Sequence, residues 1–441
     1  MIPDITTRRR REVINALRVG TVPQSGLDVL AVGLGKFETA IDDELADVAA
    51  GGSMFKAVRG EYGSGKTFFS RWLVERARRA GFATSEVQIS ETETPLHKLE
   101  TVYRRIIENL STSEFPASAF REIVDGWFYA LEQDVLAAGT ISEHDSEALI
   151  AAVDALLELR LAVVHDTAPA FAQALRGYRA ATVAGDIPQA EGLLSWLAGQ
   201  PHVAAAVRRS AGVRGELDHF GAFGFLQGLL AILRDSGYAG LVIVLDEVET
   251  LQRVRGDVRD KALNALRQLV DEVHSGRFPG LYLLITGTPA FFEGTQGVQR
   301  LAPLAQRLSV DFTTDPKFDN ARAAQIRLPG FTQDSLDELG RRVRDLYSVG
   351  SDPRVLELVD DTYISELGQA VTGRLGGKVG VAPRIYLKKL VADVLDRVDQ
   401  HPDFDPRRDY ALTMNSDDLG EVERQAAASV DDVDLGLDET P

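Results

Sequence analysis

The sequence predicts an α/β fold: a parallel sheet of phosphate-loop type covered by helices on both faces, with a large helical insertion and a helical C-terminal lid. Three observations predict it. An apolar strand, MFKAVRG at 54–60, runs straight into the glycine-rich GEYGSGKT at 60–67, and the amphipathic helix pattern TFFSRWLVERARRA follows. A second apolar strand, LVIVLDE at 241–247, ends in two acids. Strand and helix patterns alternate around both, and strands joined by helical crossovers pair in parallel with both faces covered.

Taken in order, residues 6–19 open with a threonine cap and place Val13, Ile14 and Leu17 at helical spacing. A run of four arginines, Arg8 to Arg11, forms one end of that helix. A loop with Pro23 and Gly26 follows, then a helix over 37–49, the strand at 54–60, the helix at 67–80 stopped by Gly81, and a strand in ATSEVQIS. From Pro95 to Leu217 the pattern is almost wholly helical, with a period near 3.6 from Asp145 to Val164 and helices at 168–184 and 189–198. Then come a helix at 218–235, a strand at 241–245, a helix at 257–274, a strand at 281–285, and strands near 308–313 and 324–328. After Pro329-Gly330 the chain is helical to Val398. The expected organisation is residues 1–94 as an N-terminal helix and the first part of the core, 95–217 as the insertion, 218–330 as the second part of the core, 331–415 as the lid, and 416–441 as an acidic, mobile tail.

Apolar residues make up 44% of the 441, enough for a sizeable core, and the absence of cysteine excludes disulfides and thiolate metal sites. Apolar runs such as Leu241–Leu245 fall far short of the roughly 20 residues a membrane helix needs. With no signal-peptide pattern, a cytoplasmic location without membrane contact is expected. The net charge is −18, of which the segment from Asp417 onward, nine acids against Arg424, supplies −8. That balance does not support binding to naked DNA, which relies on clustered Lys and Arg.

The motifs carry specific chemistry. Gly60, Gly65, Lys66 and Thr67 fit G-x-x-x-x-G-K-[ST]: glycines let backbone N–H groups wrap phosphates at the positive end of the following helix. Gly63 and Phe68 complete the expected contacts to ATP. Lys66 is placed to reach the β- and γ-phosphates, and Thr67 to offer its hydroxyl to Mg²⁺. Asp246 is the second expected Mg²⁺ ligand, and Glu247 the base that orients and deprotonates the attacking water. LYLLITGTP at 281–289 ends in two polar candidates for sensing the γ-phosphate, Thr286 and Thr288, of which Thr286 is favoured. In VQRLAPLAQRL, Arg300 and Arg307 are candidates to neutralise charge on the transferring phosphate, from the same or a neighbouring subunit; Arg307 is the choice. Arg384, at the start of the helix in GVAPRIYLKKLVADVL, is placed to reach back over the nucleotide. The seven histidines show no ligand spacing, and Trp72, Trp127 and Trp196 fall on apolar helical faces as core residues.

The order of loop, acidic strand, polar strand end, arginine and helical lid with a second arginine resembles AAA+ ATPases, within them the clade of origin-recognition and signal-transduction ATPases. RREVINALRVGTVPQSGLDVLAVG, GYAGLVIVLDEVETLQRVRGDVRDKALNALRQLVDE and FPGLYLLITGTPAFFEGTQGVQRLAPLAQRL resemble the ATP-binding proteins of bacteriophage-exclusion (BREX) systems, the short BrxD-like form above all. The resemblance covers residues 8–400. It implies a role in bacterial defence against phage, with other defence-system proteins as partners.

Two functions of different class fit these residues. One is a Mg²⁺-dependent ATPase working as a homo-oligomer and remodelling a partner or DNA. The other is a nucleotide-gated switch or scaffold with little turnover. Glu247 favours the first, because a pure switch can dispense with a base. A motor on nucleic acid would need a basic ring pore, which the sequence does not show.

Overall fold

The computed structural model describes residues 5–139, 141–142, 144–375 and 383–413. The acidic tail and part of the segment before Arg384 lie outside these. Helix α1 (Thr7–Arg18) begins where the Thr6 hydroxyl accepts from the Arg9 N–H, the expected cap. Then come α2 (Gly35–Ala49), β1 (Ser53–Arg59), α3 (Lys66–Arg79) and β2 (Ala83–Gln88). The helical stretch is α4 (Leu99–Glu108), α5 (Phe120–Ala137), α6 (Ser146–Thr167), α7 (Pro169–Val183), α8 (Ile187–Leu197) and α9 (Ala205–Ser210). The chain returns to the sheet through α10 (His219–Asp235), β3 (Leu241–Asp246), α11 (Gly256–His274), β4 (Leu281–Gly287), α12 (Pro289–Glu293), α13 (Ala302–Arg307) and β5 (Gln325–Arg327). Last are α14 (Gln333–Ser348), α15 (Arg354–Leu358), α16 (Asp361–Arg374), α17 (Pro383–Lys388), a π-helical stretch Lys389–Leu395, α18 (Asp396–Gln400) and α19 (Pro406–Asp409).

The five strands pair in parallel in the order β2-β3-β4-β1-β5. Strand alternation divides their side chains between two cores. Phe55, Ala57, Ile243, Leu245, Leu283 and Ile285 face one; Val58, Val242, Val244, Tyr282, Leu284 and Ile326 face the other. The second core is closed by α2 and α3, with Phe37, Phe69 and Trp72 fully buried. The first is continuous with the interior of α4 to α10, so the helical stretch between β2 and β3 shares one apolar cluster with the sheet. Each fully buried Leu, Ile or Phe contributes roughly 1.5–3 kcal/mol. Trp72, Trp127 and Trp196 are all core residues, each with its indole N–H donating, to Asp28, Asp235 and the Gly215 carbonyl respectively.

Two features depart from the sequence pattern. Residues 308–313 form no strand. The β1 edge is already taken by Gln325–Arg327, and Phe312 instead lies against the guanidinium groups of Arg59 and Arg327, 4.8 and 5.1 Å from its ring centre. Helix α1, expected to belong with the core, packs on the C-terminal helices: Val13, Ile14 and Leu17 share a cluster with Leu336, Val343, Ile364, Tyr386 and Val391. Arg18 fastens it there, donating from Nε (2.6 Å) and Nη2 (2.9 Å) to the Asp396 carboxylate, which also accepts from the Tyr347 hydroxyl at 2.8 Å.

Candidate functional site

The loop between β1 and α3 can be made only with glycine at its turning points. Gly63 and Gly65 sit at φ +80° and +90°, the left-handed region that side chains strain against. A Cβ at Gly60 would lie 2.3 Å from Ser64 Oγ, so a side chain there would force the Ser64 hydroxyl to move. The loop delivers the chain into α3 with Lys66 as its first residue. It opens on a cavity of about 710 Å³, walled on one side by Gly63, Gly65, Lys66, Thr67 and Phe68, and on another by Asp246, Glu247 and Glu249. The remaining wall comes from the segment after α1 (Val22, Pro23, Leu30, Val32) and from the C-terminal region (Phe331, Leu339, Arg384, Leu387). The cavity is therefore polar where the loop and the end of β3 meet, and apolar where the N-terminal segment meets the C-terminal helices.

Parallel pairing sets the acidic end. β4 lies between the strand that carries the loop and the strand that carries Asp246. The Asp246 carboxylate is consequently flanked by two hydroxyls from different elements: Thr67 Oγ1 donates to Oδ2 at 3.3 Å, and Thr286 Oγ1 donates to Oδ1. Thr286 is fully buried and also accepts from the Glu247 N–H at 3.3 Å. Thr288, the other candidate, caps α12 through the Phe291 N–H and does not touch Asp246. Of the two threonines, the structure thus brings Thr286 to the site.

Glu247 has φ +60°, one of only three non-glycine residues with positive φ among those described. Such strain is held in place by surrounding contacts and concentrates at functional sites. Here the peptide N–H is held by Asp246 Oδ1 (3.1 Å) and Thr286, and the carboxylate accepts from Gln88 Nε2 at 2.8 Å. Sequence reasoning missed Gln88. It lies 159 residues from Glu247 and reaches it only because β2 and β3 pair in register, Gln88 against Asp246.

Sequence reasoning also missed Glu249. It is buried, with its carboxylate 3.8 Å from Lys66 Nζ, and burial pushes its pKa up while Lys66 pulls it down and Asp246 and Glu247 push it up again. Lys66 itself donates to the carbonyls of Gly60 (3.0 Å) and Glu61 (3.4 Å), with the Tyr62 ring 4.9 Å away.

The arginines separate. Arg384 lines the cavity from the first turn of α17. Arg307 does not; at the end of α13 it is ion-paired with Asp271 of α11 and donates to the Pro303 carbonyl at 2.7 Å. Arg300 is paired with Asp260 on the protein surface.

A phosphate-type loop, a strand-end aspartate between two hydroxyls and an apolar recess lined by the N-terminal segment and the C-terminal helices fit a nucleotide site. Residues 5–414 match the family described as BREX system ATP-binding protein BrxC/D. The chain belongs to that family. It is accordingly a member of a family of ATP-binding proteins of BREX phage defence, as the resemblance implied. No curated protein and no solved structure matches the chain. Among the described residues no helix is long and apolar enough to cross a membrane, and no cluster of three or more His, Cys, Asp or Glu is arranged to hold a metal.

Proposed function

We propose that this BREX family member is a Mg²⁺-dependent ATPase of AAA+ type that works as a homo-oligomer, remodelling a partner protein or DNA. The observation that carries the reading is the Asp246 carboxylate held between the Thr67 and Thr286 hydroxyls, beside Lys66 and at the mouth of one cavity shared with the lid. Thr67 and Asp246 are hard oxygen donors brought together from the loop and β3, a set suited to Mg²⁺, which takes few protein ligands alongside phosphate oxygens and water. The ion would supply charge neutralisation on the phosphates. Lys66 and the loop N–H groups bind phosphate, and Val22, Leu30, Phe331 and Leu387 offer apolar contact to the base. Glu247 accepts a proton from the attacking water once it leaves Gln88. Thr286 fixes both the Asp246 carboxylate and the Glu247 backbone, so the two acids keep a constant relation. Because α1 and the C-terminal helices share a core, lid movement carries α1 with it.

Arg307 lies outside its own chain's cavity wall, so any action on nucleotide would be on a neighbour's, while its ion pair with Asp271 fits a structural role. The second reading, a nucleotide-gated switch with little turnover, draws on the hydrogen bond that engages Glu247 with Gln88. Steady-state ATP hydrolysis measured against protein concentration, with and without duplex and single-stranded DNA, separates them. A steep rise with concentration supports catalysis across subunits. Absence of turnover at every concentration, with ATP bound, supports the switch.

A further inference from the structure

Glu249 stands out among the polar groups of the cavity. Its side chain is 5% exposed, and neither carboxylate oxygen has a hydrogen-bond partner among the described residues. A buried group left in this way calls for an explanation other than stability, because a carboxylate without hydrogen bonds is costly to bury. Its neighbours give one. The nearest cation is the Lys66 ammonium at 3.8 Å, which is held at the same time by the Gly60 and Glu61 carbonyls. Lys66 is thus surrounded by acceptors belonging to the protein, one of them a carboxylate. The turn Val248–Gln252 after β3 is what brings Glu249 back toward the loop, whereas Glu247 is bonded to Gln88 on β2.

We propose that Glu249 is a built-in competitor of the nucleotide phosphates for Lys66, a positioning residue that sets how strongly the site favours phosphate-bearing ligands. The inference rests on the cavity being an ATP site. Two effects act in the same direction. The lysine must give up a carboxylate to gain a phosphate, and the buried carboxylate repels the incoming negative charge across a medium that screens poorly. The competition keeps the affinity for ATP below what the loop alone would give. A ligand without phosphates, adenosine, does not meet it.

The test is Glu249→Gln, which preserves shape and removes the charge. Dissociation constants for ATP, ADP and adenosine are measured by displacement of a fluorescent ATP analogue, alongside thermal unfolding. ATP and ADP are expected to bind about tenfold more tightly, the scale of one charge-assisted contact, with adenosine within twofold of the parent. Glu249→Asp, which withdraws the charge by one methylene, should fall between. Unchanged or weaker ATP binding by a stably folded Glu249→Gln overturns the proposal. A parallel loss of ATP and adenosine affinity with a lowered unfolding midpoint overturns it too, in favour of a purely structural role. A parent protein that binds no ATP refutes the reading of the cavity itself, which is a separate failure.

Discussion

Thr286→Val tests the geometry of the acidic end most directly. The side chain is fully buried and the substitution keeps its shape, so the change is confined to one hydroxyl. That hydroxyl donates to Asp246 and accepts from the Glu247 N–H. The N–H is not orphaned by its loss, because Asp246 Oδ1 still accepts from it at 3.1 Å. Two hydrogen bonds disappear; the one to the charged carboxylate is worth about 1.5–3 kcal/mol, and the one from the N–H costs less because that donor keeps an acceptor. In a chain of this size that lowers the unfolding midpoint by only several degrees. The functional cost is larger, because Asp246 then keeps only the Thr67 hydroxyl and the Glu247 N–H, and the Glu247 backbone loses one of its two anchors. The expected outcome is ATP affinity within threefold of the parent and a turnover number lowered at least tenfold. Thr288→Val supplies the control: it removes a helix cap, costing about 1 kcal/mol, without touching Asp246. Turnover by malachite-green phosphate release and affinity by calorimetry give the comparison. Thr286→Val with turnover within threefold of the parent, or two variants indistinguishable in turnover, would refute the reasoning.

Other outcomes follow from the same geometry. Glu247→Gln should keep ATP bound and lower turnover by about 10²–10⁴, since the amide cannot accept the proton; single-turnover kinetics within threefold of the parent would place the base elsewhere. Arg307→Ala should fold and bind ATP, because its partner Asp271 keeps Arg267 at 2.7 Å, yet hydrolyse it poorly. Mixed with Lys66→Ala, which lacks the phosphate-binding lysine, it should recover part of the activity if the arginine serves a neighbour, and none if it acts within its own chain. Asp396→Ala removes the acceptor for Arg18 and Tyr347; as Arg18 is partly exposed, a loss of about 2 kcal/mol is expected rather than the full value of a buried pair, with faster proteolysis at the α1 end. An unchanged cleavage pattern would show that apolar packing alone holds α1 to the lid.

The phosphate-type loop, the acidic strand end and the parallel α/β plan were legible in the amino-acid sequence because each is written locally. Gly63 and Gly65 announce positive φ, LVIVL announces a buried strand, and the acids that follow it stand at that strand's exit. The three tryptophans could be assigned to the core from helical spacing alone. The strand expected at 308–313 failed because its alternating pattern is local, whereas pairing depends on partners distant in the chain, and β5 holds the place beside β1. Thr286 was already favoured over Thr288 from the sequence, but its contact with Asp246, on the neighbouring strand, is a matter of the fold. Gln88 and Glu249 were invisible for the same reason: an amide and a third acid carry no signature until strand register and a turn bring them to Glu247 and Lys66. The binding of α1 to helices that follow it by more than 300 residues is likewise decided in three dimensions, by which apolar faces are left to cover one another. Local backbone requirements and periodicity are fixed along the chain. Contacts between distant segments are selected only when the whole core closes, and those contacts hold the acids, hydroxyls and lysine of this site in their working relation.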